Sequence, residues 1–472
     1  MALLADLPLE TLSESDPALE RDPGPPQPHL FRIFECNHPL VPTTRHCLGG
    51  LDSVVIGRGE RRCDRNQQIG HQLRLSIPDP WMSSTHARLF RRDGAWFIED
   101  AGSRNGTLVN EIPADRVALT DGDILECGRT FFLFRLETAS SRSDPPDLEA
   151  SLLAPEVVEL ASLSPPLAQQ LRRLIEVADS SISIVVQGET GTGKERIARA
   201  IHVLSRCPGE LVAVDCSELP EAQVEAELFG CKRGAFTGAQ DRPGLVRTAE
   251  HGTLFLDEVG HLPLPAQAAL LRTLQERHVH PVGATHPIPV DFRLITANQQ
   301  PLEELVEAGR FRADLLARLA GVTVQLPPLR ERREDFGIIT ANLLRRLVPD
   351  LADSVAFDKE ATRALLRHPF PLNIRELEKG IEKAVILASG GPIRLQHLTL
   401  DMLPSTPVLR TLGSDRDESL TPEDVALRSQ LIALLDEHGG NLSAAARVMG
   451  KQRVQIRRWL RRYRIDPSQF RR

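Results

Sequence analysis

The chain has 472 residues, length for about three domains at roughly 150 residues each, and its 64 acidic against 57 Lys and Arg residues give a formal net charge of −7. That balance excludes a globally basic nucleic-acid coat, so any DNA contact must come from a local patch. No apolar run reaches the length of a membrane span, the start Met1-Ala2-Leu3 lacks a signal peptide's positive region, and the seven cysteines form no CxxC pair. The expectation is a cytoplasmic protein with reduced thiols and no membrane partner.

Residues 1–28 are acidic and proline-rich and read as a disordered tail. From 30 to 138 the apolar runs are short: Ser53-Val54-Val55-Ile56, Ala87-Arg88-Leu89-Phe90, Trp96-Phe97-Ile98 and Phe131-Phe132-Leu133-Phe134. Gly, Asn and Asp separate them, which predicts an all-β sandwich. The polar residues fall in the gaps as Gly57-Arg58, Ser83-Ser84-Thr85-His86 and Ser103-Arg104-Asn105. An arginine, hydroxyls and an asparagine on neighbouring loops can hold a phosphate and its peptide backbone. Residues 139–151 are a linker by composition.

From residue 152 strands alternate with helices. A buried strand through Val186 runs into Gly188-Glu189-Thr190-Gly191-Thr192-Gly193-Lys194-Glu195, and a helix follows. This is the P-loop layout: backbone N–H groups and the helix start cradle the phosphates of ATP while Lys194 reaches the terminal ones. Residues 253–256 then deliver Asp257 and Glu258 to the carboxyl edge of a sheet, beside that loop. Asp257 is the expected Mg²⁺ partner and Glu258 the water-activating base. The usual final Ser/Thr of the loop is Glu195, so magnesium must lean more on Asp257.

Residues 404–422 form a second linker, and 423–472 read as three short helices, at 426–437, 442–448 and 452–463. Residues 451–472 carry nine Lys/Arg and one Asp, a basic patch on an acidic protein. Gln452, Arg453, Gln455 and Arg457 face outward on the third helix as base or phosphate contacts. Arg458, Arg461 and Arg462 are placed to meet backbone phosphate.

Gly234, Ala235, Phe236, Thr237, Gly238 and Ala239 put an aromatic between small residues, with glycines on both sides. This stretch matches the GAFTGA loop of sigma-54-dependent transcription activators (bacterial enhancer-binding proteins), in which the loop touches the sigma factor. The upstream loops resemble a forkhead-associated (FHA) domain, a phosphothreonine-peptide reader. Residues 441–447 with Gly450 resemble a Fis-type helix-turn-helix. The implied fold is multidomain: an all-β FHA sandwich at 30–138, an α/β AAA+ P-loop ATPase at 152–403 with a helical lid from about 331, and an all-α helix-turn-helix.

The resemblance assigns roles residue by residue. Arg58 and Ser83 would bind phosphate, Ser84 and Arg104 would assist, Asn105 would hold the peptide main chain, and His86 would brace the loops. Arg312 and Arg318 match the arginine fingers, which act across subunits and imply a ring, typically a hexamer; Arg375 matches the lid's sensor arginine. Three positions depart from the family. Asp215 replaces the asparagine that restrains the catalytic glutamate, Asn298-Gln299 stands at the Thr-Asn sensor pair, and Leu372 replaces a turn glycine. If Asp215 lies near Glu258, two carboxylates share one pocket and one pKa rises. The function implied is ATP-driven remodelling of sigma-54 RNA polymerase, with double-stranded enhancer DNA and a threonine-phosphorylated protein as further partners. The alternative is a DNA-bound phosphopeptide adaptor with a weak or inactive ATPase.

Overall fold

A computed structural model describes residues 26–66, 71–138, 144–153, 157–235, 240–398 and 448–449. Residues 1–25 of the expected tail, the loop tip Phe236, Thr237, Gly238 and Ala239, and the DNA-contact residues Gln452, Arg453, Gln455, Arg457, Arg458, Arg461 and Arg462 lie outside the described residues, whereas Gln27 and Pro28 at the end of that expected tail begin a strand. No helix among the described residues is long and apolar enough to cross a membrane.

The short apolar runs form two facing sheets. One has the order Arg116–Ala118, Ala95–Asp100, Ala87–Arg92, Ser53–Arg58, Gln72–Ile77, Arg62–Asn66, and its Ser53–Arg58 and Gln72–Ile77 strands run parallel. The other is centred on the antiparallel pair Gln27–Glu35 and Thr130–Thr138. Along each strand alternate residues point to opposite faces. Leu30, Phe132 and Phe134 therefore fill the sandwich with Val54, Ile56, Leu89 and Ile98.

The second face of that central pair is also buried. Phe31, Ile33, Phe131 and Leu133 point away from the sandwich into another core, and a bulge between Arg32 and Phe34 turns Phe34 to the same side. Antiparallel sheets usually leave one face to water; this one is covered by the lid helices described below. The segment expected to be a linker also ends as structure. Asp147–Glu149 adds an edge strand to Thr44–Cys47 because Asp147 accepts two bonds from Arg65 at 2.8 Å and one from His46 at 2.7 Å.

The motor sheet has five parallel strands in the order Leu211–Asp215, Thr253–Asp257, Arg293–Asn298, Ile184–Gln187, Val322–Gln325. Both its faces are covered. Ile184 and Val186 pack against helices Pro165–Glu176 and Lys194–Ser205, whereas Val185 joins Leu254, Leu256 and helix Leu264–Glu276 on the other side. Prolines at 165 and 166 open the first of these helices, where a missing N–H costs nothing.

The lid is built from helices Phe336–Leu347, Lys359–Arg367 and Asn373–Ala388. Asp358 caps the second by accepting from Ala361 N–H at 2.7 Å, a cap typically worth about 1 kcal/mol. Phe336 and Phe357 close edge-on around Phe34, with ring centroids 5.5 and 5.3 Å from it. All three rings are at most 2 % exposed. A fully buried phenylalanine contributes about 1.5–3 kcal/mol, so the lid and the sandwich share one core.

Candidate functional site

Two sites sit at the ends of these sheets. At the sandwich tip, three loops converge through main-chain and neutral side-chain bonds. Arg58 N–H donates to Ser83 O at 2.8 Å, and Ser83 Oγ accepts from Arg104 N–H at 3.1 Å. Asn105 Nδ2 donates to Trp81 O at 2.7 Å. His86 is fully buried; its Nδ1 accepts from Ser83 N–H at 3.1 Å, which leaves Nε2–H to donate to Gly106 O at 3.1 Å. Burial holds its pKa below the usual histidine value, as the neutral tautomer of these bonds requires. Gly57 is required where it stands, because a Cβ there would collide with Ser84 O.

Arg58, Ser84, Arg104 and Asn105 remain exposed and Ser83 is half-buried, so the loops present one arginine on each side of the serines. Sequence reasoning missed Arg74, whose Nη2 donates to Ser84 O at 3.3 Å from the neighbouring strand. Its signal was an arginine in an outward register position of that strand, paired opposite Val55.

At the motor, the sheet edge gathers buried charge. Lys194, 5 % exposed, opens its helix and donates to Gly188 O at 3.0 Å and to Glu258 Oε1 at 3.1 Å. Glu258 Oε2 accepts Gln299 N–H at 3.2 Å. Asp257 accepts Glu258 N–H at 3.0 Å. Desolvation raises the pKa of Asp257, and the Lys194 ammonium opposes the rise. Glu258 has φ 51°, ψ 47°, the left-handed region that L-residues avoid.

Behind Glu258 lies a cavity of about 320 Å³ lined by Gly260, His261, Asn298, Gln299, Leu305 and Arg310, among others. Asn298 is buried and fixes the cavity wall, accepting Gly260 N–H at 3.0 Å and donating to Gln300 O at 2.7 Å. Gln299 Oε1 accepts the Thr190 hydroxyl at 3.2 Å. Thr192 turns its hydroxyl onto Glu189 O at 2.8 Å, and Glu195 pairs with Arg199 at 2.6 Å.

For Asp215 the structure gives a partner other than Glu258. Asp215 is exposed and its Oδ1 accepts both the N–H and the hydroxyl of Ser217, at 2.9 and 2.6 Å. A short carboxylate after a strand satisfies its own following turn, and Lys194 takes the place by Glu258 instead. The lid residue missed from sequence is Asn373. Its Nδ2 donates to Glu189 Oε2 at 3.1 Å and Thr190 O at 3.0 Å, and its Oδ1 accepts Leu329 N–H at 2.8 Å. Arg330 adds a forked pair to Glu189, at 2.9 and 2.6 Å. Gly191, at φ +78°, passes so close beneath Leu372 O that a side chain there would collide with it; Ile374 N–H donates to Gly191 O at 2.9 Å. Arg375 follows, exposed, on the same turn.

Arg312 stands at the N-cap of helix Ala313–Leu319, Arg318 lies in its last turn, and both are exposed. Arg312 pairs with Asp314 at 2.7 Å, and Arg318 donates to Leu274 O at 3.3 Å. Neither reaches Glu258 of its own chain through a hydrogen bond. The stem of the glycine-rich loop is closed where Cys231 and Arg242 exchange backbone bonds at 3.1 and 3.0 Å. Arg233 N–H is taken by Asp241 at 2.7 Å. Gly234, at φ +87°, opens the loop with space around it, and Ala235 packs against Gly283. His46, Cys63 and Asp147 also bring possible metal donors within 4.8 Å of one another, but the forked Arg65 pair already neutralises Asp147.

Residues 160–325 match the Sigma-54 interaction domain, 330–413 the AAA+ ATPase lid domain, and 54–128 the FHA domain. The hydrogenase transcriptional regulatory protein HoxA of Cupriavidus necator is 42 % identical over 301 residues, covering 61 % of this chain and 62 % of its own. The transcriptional regulatory protein ZraR of Escherichia coli is 39 % identical over 324 residues, 68 % of this chain and 72 % of its own. Among solved structures, NtrX from Brucella abortus in complex with ADP is 29 % identical with a TM-score of 0.45, covering 66 % of this chain and 70 % of that one. With an AAA+ sigma-54 interaction domain, its lid and an FHA domain on one polypeptide, the chain belongs to the sigma-54-dependent transcriptional regulators.

Proposed function

We propose that this chain is an ATP-hydrolysing activator of sigma-54 RNA polymerase that responds to a threonine-phosphorylated protein and binds enhancer DNA through its C-terminal residues. The observation that carries the reading is the pairing of buried Lys194 with half-buried Glu258, beside Asp257 at the carboxyl edge of the parallel sheet. These residues fit a nucleoside triphosphate. The helix start at Lys194 offers N–H groups without intrahelical partners, and phosphate can take over the ammonium. Asp257 would hold magnesium, since Glu195 is engaged by Arg199. Bound magnesium would neutralise phosphate charge. Freed from Lys194, Glu258 is placed to accept a proton from water. Arg312 and Arg318, exposed and held by weak surface contacts, are available to a neighbouring subunit's nucleotide in a ring.

The FHA loops supply the second ligand site: Arg58, Arg104 and Arg74 around Ser83 for a phosphate, Asn105 for the peptide main chain. The adaptor alternative would leave the Lys194–Glu258 pair and Asp257 beside the P-loop without a task. Phe236 and Thr237 at the tip of the glycine-rich loop would deliver the motor's work to the sigma factor. The test is Phe236→Ala in a purified sigma-54 transcription system. ATPase activity and DNA binding should persist while open complexes fall to background. Wild-type transcription by the variant, or no ATPase in the parent chain, overturns the reading.

A further inference from the structure

We propose that the FHA sandwich is a fixed wall of the lid, so that phosphopeptide occupancy at its loops and nucleotide occupancy at the P-loop are coupled. The phosphopeptide half of this rests on the function proposed above; the mechanical half does not.

The connection can be followed bond by bond. Asn105 donates to Trp81 O, and Trp81 N–H donates to Asp79 Oδ1 at 2.9 Å. Asp79 is buried, and its Oδ2 accepts Arg129 N–H at 2.6 Å and the Thr130 hydroxyl at 3.1 Å. Arg129 O accepts Cys36 N–H at 3.0 Å, and Cys36 O accepts Phe357 N–H of the lid at 2.8 Å. The Cys36 thiol lies 3.3 Å from the Thr362 hydroxyl on the lid's second helix. Glu126, 3 % exposed at the sandwich edge, receives a forked pair from Arg363 at 2.7 and 2.8 Å and Lys359 at 2.9 Å. At the other end of that helix the chain turns into Asn373 and Ile374, which grip Thr190 and Gly191 of the P-loop.

A chain of bonds alone transmits nothing; coupling needs an element with more than one position that both ligands bias. In this proposal the lid is that element. Its three helices form a single core with Phe31, Phe34, Phe131 and Leu133 of the sandwich, so it cannot tilt against the sandwich without opening that core. Close packing makes such interfaces move as blocks and not as springs. Toward the P-loop it is held by polar contacts, Arg332 to Thr192 O at 2.7 Å and Asn373 to the loop itself, while Leu163, ahead of helix Pro165–Glu176, joins the shared core. Phosphate arriving at Gly191, Gly193 and Lys194 acts on those polar contacts. The lid then moves together with the sandwich, and the Trp81 and Asn105 end of the peptide site moves with it. Linkage makes the effect reciprocal.

The test uses the full chain, a fluorescent ADP analogue and a degenerate phosphothreonine peptide library. Glu126→Gln removes a charge from the interface without touching either ligand site. It should shift the affinity for the ADP analogue about fivefold or more, the lower end of usual allosteric couplings. The library should shift that affinity in the parent chain, and less in Glu126→Gln. A second measurement needs no variant: hydrogen exchange in the parent chain should change on ADP-analogue binding in strand Gln27–Glu35 and around Asp79, as well as in the lid. Equal affinities within twofold for parent and Glu126→Gln, or exchange changes confined to residues 157–398 with none in the sandwich, overturn the proposal. If the library binds nowhere, the phosphopeptide reading fails, while the Glu126→Gln and exchange results still decide the mechanical coupling.

Discussion

The two ligand edges of this molecule are built from opposite materials. The sandwich edge is braced by main-chain groups and an uncharged histidine, and its arginines reach into water. The motor edge holds a buried ammonium against a carboxylate in strained backbone, with a second carboxylate next to it. A preformed neutral scaffold lets its ligand bring the only charge that must be desolvated. A charged site makes a charged ligand exchange one set of ion pairs for another, so its binding has to rearrange the side chains that hold it. The first arrangement suits recognition, the second a machine that must change state at each turnover.

The largest expected effect tests whether the motor edge is complete within one chain. Arg312 and Arg318 make no hydrogen bond to Glu258 in their own chain, and a finger supplied in trans is worth roughly 10³–10⁵ in rate. Arg312→Ala and Arg318→Ala should each cut ATP hydrolysis by about that factor while an ATP analogue still binds. Steady-state ATPase assays with parallel nucleotide titrations measure both. Wild-type turnover at high dilution would mean that the motor edge needs no neighbour, and the contrast with the self-contained sandwich edge would disappear.

A smaller effect probes the neutral scaffold by pH. His29 is buried in the sandwich sheet, and desolvation lowers its pKa from 6.5 to about 4; burial moves His86 in the same direction. Between about pH 4 and 6.5 the unfolded chain therefore binds protons that the fold refuses. The stability contribution is whole above pH 6.5 and is lost as pH falls toward 4. For His29 alone this amounts to roughly 2 kcal/mol by pH 5. Burial raises Glu35 to about 7 and Asp335 to about 6, which stabilises the fold as pH falls through the same range, so the His29 effect is read as a difference. In denaturant unfolding followed by tryptophan fluorescence, stability at pH 5 relative to pH 7 should be lower in the parent chain than in His29→Gln by about that amount. Identical profiles would show that the sandwich is not braced by neutral histidines.

The same contrast explains what could be read from the sequence. The P-loop and the 253–258 strand are local signals: glycines, a lysine and an apolar run ending in two carboxylates lie within a few residues of one another. The FHA loops were legible because each is a short polar gap between apolar runs. The shared core was not read, although its signal was present. The run Phe131-Phe132-Leu133-Phe134 is apolar at every position, where a sandwich strand with one wet face would alternate. Phe132 and Phe134 satisfy the sandwich; Phe131 and Leu133 needed a second partner, which the lid supplies from more than 200 residues away. The grip of Asn373 on Thr190 was illegible for the same reason, since nothing local distinguishes an asparagine in a lid turn.

The smallest effect is expected at Asp215. A carboxylate in the place of the family's asparagine would share a pocket with Glu258 and raise one pKa if the two met. In the structure that carboxylate is exposed and bonded to Ser217, while Glu258 is held by Lys194 and Gln299. Asp215→Asn keeps an Oδ1 that can accept both Ser217 bonds, so stability should change by less than about 0.5 kcal/mol, as at ordinary surface positions. One electrostatic trace remains. Among the causes that raise the pKa of Asp257, the charge of Asp215 is the least, after desolvation and Glu258. Removing it should lower the Asp257 pKa slightly and move the acid limb of the pH–rate profile to lower pH by a small fraction of a unit, leaving its slope unchanged. Profiles measured on both proteins between pH 5 and 9 decide the point. A clear flattening of the acid limb in Asp215→Asn would mean that Asp215 meets Glu258 during turnover. The motor edge would then be built around a carboxylate pair, and the Lys194–Glu258 pair would be its resting arrangement alone.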